Sequence, residues 1–290
     1  MGRVAVKTTL IEVPYDSGHY ARRMGRGPVH LVQGGLAGLL ERAGHEVRLV
    51  EVRLVEDFLT EVGTALETQR LVAECVAGEI AEGRFPLVLS GNCATSVGSV
   101  AGAGARRTGV VWLDSHGDYN TPETTASGFF DGMVLAMVTG ECWTAAAARV
   151  PGFEPVPTEN VVLVAVRDLD PAERDLLTAS DAVRVDVEAI RERGTESALA
   201  AAFDALADRV DQAYLHLDLD VLDPEVARIN DFQAPGGLTV EEVAGVITAL
   251  AARLPIRVAA LTAFDPDADA DGAGGEAAVT LATALVGAAR

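Results

Sequence analysis

Residues 110–118 read V-V-W-L-D-S-H-G-D, an apolar, β-branched run that ends in two aspartates and a histidine. Such a run is typical of a strand buried in a parallel sheet. A second run of the same kind, Y-L-H-L-D-L-D-V-L-D-P, occupies residues 214–224. Ligands of open parallel sheets gather beyond the carboxyl ends of the strands. Both acidic strings are therefore predicted to face one crevice.

The rest of the chain repeats this alternation. Short apolar runs are separated by longer segments whose apolar residues recur at helical spacing, which indicates βαβ units and an α/β fold with a parallel sheet. No Pro/Gly/Ser-rich linker divides the chain, so we expect one domain over residues 1–290. The predicted strands are 4–6, 46–50, 87–89, 110–113, 161–166, 183–187, 214–220 and 258–262, and the predicted helices are 36–42, 66–80, 197–209, 240–250 and 277–289.

Composition excludes several classes of protein. Hydrophobic residues make up 49% and charged residues 23% of the 290, which suits a globular chain. The formal net charge of −20 would repel phosphate backbones, so nucleic acid is not expected as a partner. No run of apolar residues is long enough to cross a membrane, so no membrane-spanning segment is expected. Three widely spaced cysteines and an N-terminus without a signal pattern predict a reduced, cytoplasmic setting.

The acidic strings predict metal chemistry. Residues two apart on a strand share a face, which would pair Asp114 with His116 and Asp218 with Asp220. Like charges this close favour a bound divalent cation, and carboxylates with one imidazole suit Mn²⁺ or Mg²⁺. Two such ions would share bridging carboxylates and activate a water molecule. The alternative is that each string is a solvated turn. The other histidines are interpreted as surface or packed residues rather than ligands: His19, His30, His45 and His216.

Three strings carry a family resemblance. D-S-H-G-D-Y-N-T-P at residues 114–122 resembles D-A-H-x-D-x-N-T-P, H-L-D-L-D-V-L-D-P at 216–224 resembles S-F-D-x-D-x-x-D-P, and 236–239 read G-G-L-T. The chain thus resembles the ureohydrolases, the family of arginase, agmatinase and formiminoglutamase. The resemblance implies a three-layer α/β/α sandwich around an eight-stranded parallel sheet, a two-manganese centre, hydrolysis of a guanidino or formimino group, and assembly as a trimer or hexamer.

The resemblance also implies metal ligands. Asp114 and Asp218 would bridge the two ions, Asp118 would serve the first ion, and His116 and Asp220 would serve the second.

The amino-acid end of a substrate can be placed in the same way. Asn120, Thr125 and Ser127 stand where the arginase branch recognises an α-carboxylate, although these residue types also cap loops. R-D-L-D-P-A-E at 167–173 resembles the arginase segment R-D-x-D-P-x-E, which implies that Asp170 and Glu173 receive the α-ammonium. A small amino acid resembling arginine therefore fits better than agmatine.

Three positions depart from the family strings. S-G-N-C-A at 90–94 stands where the family has G-G-D-H-S, so Cys93 replaces a histidine ligand of the first metal. Because a thiol is a poor partner for Mn²⁺, we expect one firmly bound manganese and a second site that is weakened or empty. Alternatively, Cys93 is a buried packing residue. Asp131 replaces the histidine that serves as proton shuttle, and Ala263 replaces the glutamate that holds the guanidinium. Asp131 would act as an acid or base if its pKa moves towards neutrality, and otherwise as an anionic contact to the guanidinium.

These departures disfavour ordinary arginine as the substrate. Nω-hydroxy-L-arginine is less basic, because its hydroxyl group withdraws electrons, and the space at Ala263 could admit the extra oxygen. The chain resembles the amidinohydrolases of D-cycloserine biosynthesis, which cleave that compound to L-ornithine and hydroxyurea and share the G-N-C form of residues 91–93. Two alternatives stay open. One is a catalytically impaired homologue that binds a metal or an amino acid for regulation or assembly, and the other is a hydrolase of another guanidino acid of secondary metabolism.

Overall fold

A computed structural model describes residues 5–55, 60–104 and 107–289. Its centre is one sheet of eight strands, all paired in parallel. A two-stranded hairpin, Tyr15–Asp16 (β2) and His19–Tyr20 (β3), follows the first strand. The sheet consists of Lys7–Val13 (β1), Glu46–Glu51 (β4), Phe85–Ser90 (β5), Thr108–Leu113 (β6), Val161–Val164 (β7), Val183–Val185 (β8), Gln212–Asp218 (β9) and Ile256–Thr262 (β10), in the order β4-β1-β5-β10-β9-β6-β7-β8.

Helices cover both faces of this sheet. Those on one face are Gly27–Gln33 (α1), Leu36–Arg42 (α2), Val187–Arg193 (α8), Thr195–Ala207 (α9), Val240–Ala251 (α10) and Ala273–Ala288 (α11). Those on the other are Glu61–Ala81 (α3), Ser96–Ala103 (α4), Val134–Thr139 (α5), Thr144–Ala147 (α6) and Pro171–Ala179 (α7). Successive strand residues alternate between the two cores, since Val111 and Leu113 belong to one cluster and Val110 and Trp112 to the other. The predicted α/β/α sandwich with an eight-stranded parallel sheet is confirmed.

The first predicted strand, 4–6, is wrong. The strand runs from Lys7 to Val13, and Val4 lies outside the described residues. The apolar pattern did not indicate this strand, because the strand contains Thr8 and Thr9, polar residues whose side chains are fully buried. The Thr8 hydroxyl donates to the Phe85 carbonyl at 2.9 Å, which satisfies the group inside the sheet.

The predicted strand 214–220 extends too far. β9 ends at Asp218, and residues Leu219–Val221 form a turn of 3₁₀ helix in which the Asp218 carboxylate accepts from the Asp220 N–H at 2.8 Å. The argument that placed Asp218 and Asp220 on one strand face is therefore wrong. The two acids converge because the chain turns between them.

Helix α4 lies directly behind the end of β5. All eight of its residues are buried, and it packs against α3 at Gly98, where a Cβ atom would overlap the Gln69 carbonyl. A short 3₁₀ turn, Cys93–Thr95, leads into this helix. The close helix contact therefore fixes the position from which Cys93 faces the strand ends.

No helix in the described ranges is both long enough and apolar enough to cross a lipid bilayer.

Candidate active site

The carboxyl ends of the four central strands surround a cleft of about 290 Å³. Cys93 follows β5, Asp114 follows β6, Asp218 ends β9 and Ala263 follows β10, and all four residues line the cleft. Because these strands are neighbours in the sheet, their following loops meet at one place. The two acidic strings, which are distant in the sequence, therefore lie in the same cleft.

Asp114, His116 and Asp220 form one group that could hold a divalent ion. One ligand atom from each residue lies within 4.8 Å of the others. His116 Nδ1 is 3.3 Å from both Asp114 Oδ1 and Asp220 Oδ2. The backbone N–H and the hydroxyl of Ser115 both donate to Asp220 Oδ1, at 3.1 Å and 2.8 Å, and so hold this carboxylate in place.

Cys93, Asp114, His216 and Asp218 form a second group with the same 4.8 Å limit, and all four residues are buried. Asp114 belongs to both groups. The Cys93 thiol donates to Asp218 Oδ2 at 3.1 Å, and the Thr262 hydroxyl donates to the same oxygen at 3.1 Å. His216, interpreted from the sequence as a surface or packed residue, is indeed packed, yet it also takes part in this group.

Asp118 lies beside these groups but belongs to neither of the two found among the described residues. It is 7% exposed and adopts a left-handed backbone conformation with φ of 48°. Its Oδ2 is buried and has no hydrogen-bond partner in the described part of the chain. Burial, followed by the charges of Asp114 and Asp131, raises the pKa of its carboxyl group well above the ordinary value.

The carboxylates in the cleft repel one another. Burial and the charge of Asp220 raise the pKa of Asp114 to about 6, and burial with the same neighbour raises the pKa of Asp218 well above its ordinary value. His116 opposes this effect. Although burial favours its neutral form, the charges of Asp220 and Asp114 raise the pKa of His116 overall, while His116 and Ser115 lower the pKa of Asp220 against the effect of burial. Carboxylates and imidazole in this arrangement fit a divalent cation such as Mn²⁺.

Cys93 fits manganese poorly. Its side chain is 6% exposed, and burial together with the surrounding acids raises the pKa of the thiol well above its ordinary value. A neutral thiol is a weak ligand for a hard cation. The two groups therefore differ in the ions that they suit.

Asn120 and Asp170 line the side of the cleft predicted to hold an amino-acid end. The Asn120 amide donates to Asp170 Oδ2 at 3.1 Å, and the Thr124 hydroxyl donates to Asn120 Oδ1 at 3.0 Å. Asn120 is 7% exposed. The pair joins the loop after β6 to the start of α7 while both side chains remain at the cleft.

Thr125 and Ser127 form a polar turn next to this pair. Thr125 Oγ1 accepts from the Gly128 N–H at 3.0 Å, and Ser127 Oγ accepts from the Phe129 N–H at 3.2 Å. Of the two residues, Ser127 lines the cleft. Both hydroxyls thus cap their own loop, which was the alternative interpretation. They also lie 3.4 Å apart, so that one of them donates to the other.

Glu173 is a buried acid at the rear of the cleft. Its carboxylate accepts from the Tyr119 N–H at 2.8 Å and from the Asp170 N–H at 3.2 Å, and the second bond completes a capping box at the start of α7. Burial raises the pKa of Glu173 to about 7, against the lowering effect of these two hydrogen bonds.

Asp131 begins the short 3₁₀ turn Asp131–Met133 and faces the cleft. Its Oδ1 is buried, and no described residue supplies it with a hydrogen bond. Burial, the charge of Asp16 and that of Glu61 raise the pKa of Asp131 to about 6. The carboxyl group therefore exchanges a proton close to neutral pH.

Sequence reasoning gave no role to several polar residues of the cleft, among them Asp16 and Asn230. Asp16 lies in the β2–β3 hairpin, where Y-D-S-G is an ordinary turn signal, and it forms an ion pair with Arg23 at 2.9 Å. Asn230 lies in the loop after β9 and donates to the Ala263 carbonyl at 2.9 Å. Neither residue stands in a string that distinguishes it from a loop residue.

A family model for the arginase family matches residues 6–287. The chain belongs to the arginase family. Arginase of Bacillus caldovelox is 31% identical to this arginase-family chain over 96% of the chain and 97% of that protein. The crystal structures of arginase from Bacillus subtilis and Bacillus cereus both share 29% identity, cover 97% of this chain and 98% of their own, and have TM-scores of 0.87 and 0.88.

These findings confirm the predicted ureohydrolase family and its class of reaction, hydrolysis at C–N bonds of linear amidines. This arginase-family chain is an amidinohydrolase that acts on an arginine-like guanidino group.

Proposed function

We propose that this chain hydrolyses Nω-hydroxy-L-arginine in preference to L-arginine, with L-ornithine and hydroxyurea as products and a divalent metal as cofactor. The observation that carries the proposal is Ala263. It is 4% exposed, lines the cleft and brings no carboxylate to the position where the family strings have glutamate. The positive charge of a guanidinium therefore lacks a compensating carboxylate here. A hydroxyguanidine is less basic and depends less on such a carboxylate.

Asp16 and Asp131 line the same cleft as Ala263 but do not replace that carboxylate. Asp16 is already in an ion pair with Arg23 at 2.9 Å. Asp131 has a pKa of about 6 and is partly protonated near neutral pH. Neither acid therefore gives a guanidinium a free carboxylate that stays ionised throughout the neutral range, whereas Asp131 can exchange a proton with a hydroxyguanidine.

Asp114, His116 and Asp220 would hold the principal ion, which we propose to be Mn²⁺. When bound, such an ion polarises the guanidino group and activates a water molecule for attack. The Ser115 hydrogen bonds keep Asp220 in place before binding. Asp118 and Asp218 would complete the coordination next to this group, with Cys93 as the weakest member of the set.

Asp131 is the proposed acid–base residue. As a carboxylate it would take a proton from the attacking water, and as a carboxylic acid it would give a proton to the departing ornithine amine. Both forms are populated close to neutral pH because the pKa is raised to about 6.

The amino-acid end would lie against the loop after β6 and the start of α7. Asp170 and the ionised form of Glu173, whose pKa is raised to about 7, would supply the negative charge that suits an α-ammonium. The Asn120 amide and the hydroxyls of Thr125 and Ser127 would supply hydrogen-bond donors for an α-carboxylate. Agmatine lacks this carboxylate and would lose the second set of contacts.

The test is to supply the metal-loaded chain with L-arginine, Nω-hydroxy-L-arginine and agmatine, and to measure ornithine, hydroxyurea and putrescine. We expect kcat/KM for the hydroxylated substrate to exceed that for arginine at least about tenfold, which corresponds to about 1.4 kcal/mol. Equal rates would contradict the preference. Stabilisation by an amino acid without any product would instead support a binding protein.

A further inference from the structure

His216 has a buried ring nitrogen without a hydrogen-bond partner in the described residues, and its imidazole lies next to the acids at the end of the cleft strands. The side chain is fully buried on β9, and its Nε2 has no hydrogen-bond partner among the residues that the structure describes. One ligand atom of His216 lies within 4.8 Å of ligand atoms of Cys93, Asp114 and Asp218. Leaving a buried polar atom without a partner is unfavourable, because the atom loses its hydration and gains nothing in return. A ligand at this nitrogen would remove that cost.

The hydrogen bonds on the opposite side of the ring assign its proton. The Ser96 hydroxyl donates to the Cys93 carbonyl at 2.8 Å, and the Tyr214 hydroxyl donates to Ser96 Oγ at 3.0 Å. Two contacts remain, from His216 Nδ1 to Tyr214 Oη at 2.8 Å and to Ser96 Oγ at 3.2 Å, and both hydroxyl hydrogens are already used, so Nδ1 carries the N–H that donates here. The opposite tautomer would bury an Nε2–H without an acceptor. This bonding pattern therefore leaves a lone pair on Nε2, as a metal ligand requires.

Trp112 holds the ring in this orientation. The indole and the imidazole stack with centroids 3.6 Å apart and planes inclined by 11°. The same indole donates from Nε1 to Asp114 Oδ2 at 3.1 Å. Metal-binding histidines commonly donate their second N–H to a neighbouring acceptor and are fixed by such surrounding contacts. His216 has both kinds of support, from Tyr214 and from Trp112.

We propose that His216 Nε2 is an imidazole ligand of a metal ion held together with Cys93, Asp114 and Asp218. The set offers one nitrogen, one sulfur and carboxylate oxygens, which suits Zn²⁺ or Co²⁺ better than Mn²⁺. The group of Asp114, His116 and Asp220 contains no sulfur and suits Mn²⁺. Two sites that share Asp114 would thus differ in metal preference.

The exchange of residue types agrees with this assignment. Cys93 stands where the family string has histidine, and His216 stands where the family string has serine. The imidazole at this side of the cleft has therefore moved from the loop after β5 to strand β9, and is not lost. On this proposal, the site that includes Cys93 still binds a metal ion, but a different one.

Binding would displace one proton from Cys93. The structure has the thiol hydrogen donated to Asp218 Oδ2. A coordinated thiol is deprotonated, so this proton is released to the solvent, and both the sulfur and the Asp218 oxygen become free to bind the ion.

The test is a Co²⁺ titration of the full chain after treatment with a chelator, without substrate. We expect two bound ions, one of which gives the thiolate-to-cobalt charge-transfer absorption. His216→Gln should weaken binding of the sulfur-ligated ion at least about tenfold, while His30→Gln, at an exposed histidine of α1, should leave both sites unchanged. An unchanged titration of the His216→Gln protein would overturn the proposal.

A second measurement avoids any dependence on the folding of that variant. In wild-type chain labelled with ¹⁵N-histidine, Zn²⁺ should shift the Nε2 resonance of His216 and leave its Nδ1 protonated. Tyr214→Phe should weaken sulfur-ligated binding less than His216→Gln does, because it removes an orienting contact and not a ligand. An Nε2 resonance that does not move would overturn the proposal. This proposal rests on the metal part of the proposed function. Both measurements are made without substrate, so a chain that binds the metal ions as expected but has no activity would contradict only the proposed reaction.

Discussion

Glu173 accepts a hydrogen bond from the Tyr119 N–H at 2.8 Å and thereby ties the loop after β6 to the first turn of α7. The acid is 4% exposed, and burial raises its pKa to about 7 from an ordinary value of 4.5. The folded state therefore binds the proton of Glu173 more tightly than the unfolded state does. The resulting contribution to stability is present below pH 4.5 and is lost as the pH rises through 7.

Glu173→Gln should remove this pH dependence. Compared with the variant, the metal-free wild type should lose roughly 3 kcal/mol of unfolding free energy between pH 4.5 and pH 8, which is the shift in pKa converted at about 1.4 kcal/mol per unit. Urea denaturation across this range measures the difference. The matched control is Glu188→Gln at an exposed position of α8, which should leave the slope unchanged. If the unfolding free energy of Glu173→Gln changed with pH as steeply as that of the wild type, the assignment of this pH dependence to Glu173 would be contradicted.

The contact between α3 and α4 predicts opposite effects for two glycine substitutions. Gly98→Ala should destabilise the chain by about 1–3 kcal/mol or more, because its new Cβ meets the Gln69 carbonyl of the facing helix. Gly78→Ala, at an exposed position of α3 with nothing within 4 Å, should stabilise it by up to about 1 kcal/mol. Thermal and urea denaturation of both variants provide the comparison. Equal effects at the two positions would show that helix propensity, and not packing, dominates.

The fold follows from apolar periodicity to a large extent. V-V-W-L at 110–113 is buried on both faces, and such continuous runs identify a parallel sheet without further information. The acidic strings could be placed at strand ends for the same reason. Thr8 and Thr9 show the limit of this reasoning, because their burial depends on partners supplied by the distant β5 and α3.

The cleft was less predictable than the sheet. His216 shares a face of β9 with Asp218, so the two-residue alternation that was applied to Asp218 and Asp220 would have found it. Because β9 ends at Asp218, the residue that shares its strand face is His216, two positions earlier, and not Asp220, two positions later. Asp16 gave no such signal, because only the folded hairpin brings it to the cleft.

Asp131 should produce an ionisation near pH 6 in the activity profile. The deprotonated form accumulates as the pH rises through the raised pKa of about 6, so kcat/KM should increase over this range. Asp131→Asn should lower the rate by about 10²–10⁴-fold and remove this part of the profile. Asp131→His should recover activity relative to the asparagine variant, because imidazole also titrates near neutrality. A full ionisation near pH 6 in the asparagine variant would assign it to another group.

Ala263 should determine the choice between arginine and its hydroxylated form. Ala263→Glu would add a carboxylate at the cleft, and we expect it to raise the kcat/KM ratio of arginine to Nω-hydroxy-L-arginine at least about tenfold. Ala263→Gln has nearly the same size without the charge and should not raise the ratio. The comparison is direct because the backbone at this position has φ of 67°, a conformation that strains both side chains alike. A rise with glutamine as large as that with glutamate would point to shape rather than charge.

Asp220 and Asp223 belong to the same acidic string but should respond differently to metal removal. Asp220 lies in the group with Asp114 and His116. Asp223 Oδ2 accepts from the N–H groups of Gly236 and Gly237 at 2.8 Å and 2.9 Å, which holds the loop before α10. The first carboxylate is thus placed for an ion, and the second for the backbone.

Mn²⁺ at about 100 times its Kd should stabilise the wild type by about 2.7 kcal/mol, and a chelator should reverse the effect. Asp220→Asn should abolish this metal-induced rise in Tm, since it removes a negative ligand. Asp223→Asn should lower the Tm of the metal-free chain, by the loss of backbone hydrogen bonds, yet keep the rise on adding Mn²⁺. Thermal unfolding with and without the ion separates these cases. If Asp223→Asn lost the rise and Asp220→Asn kept it, the assignment of ligand and loop support to these two acids would be reversed.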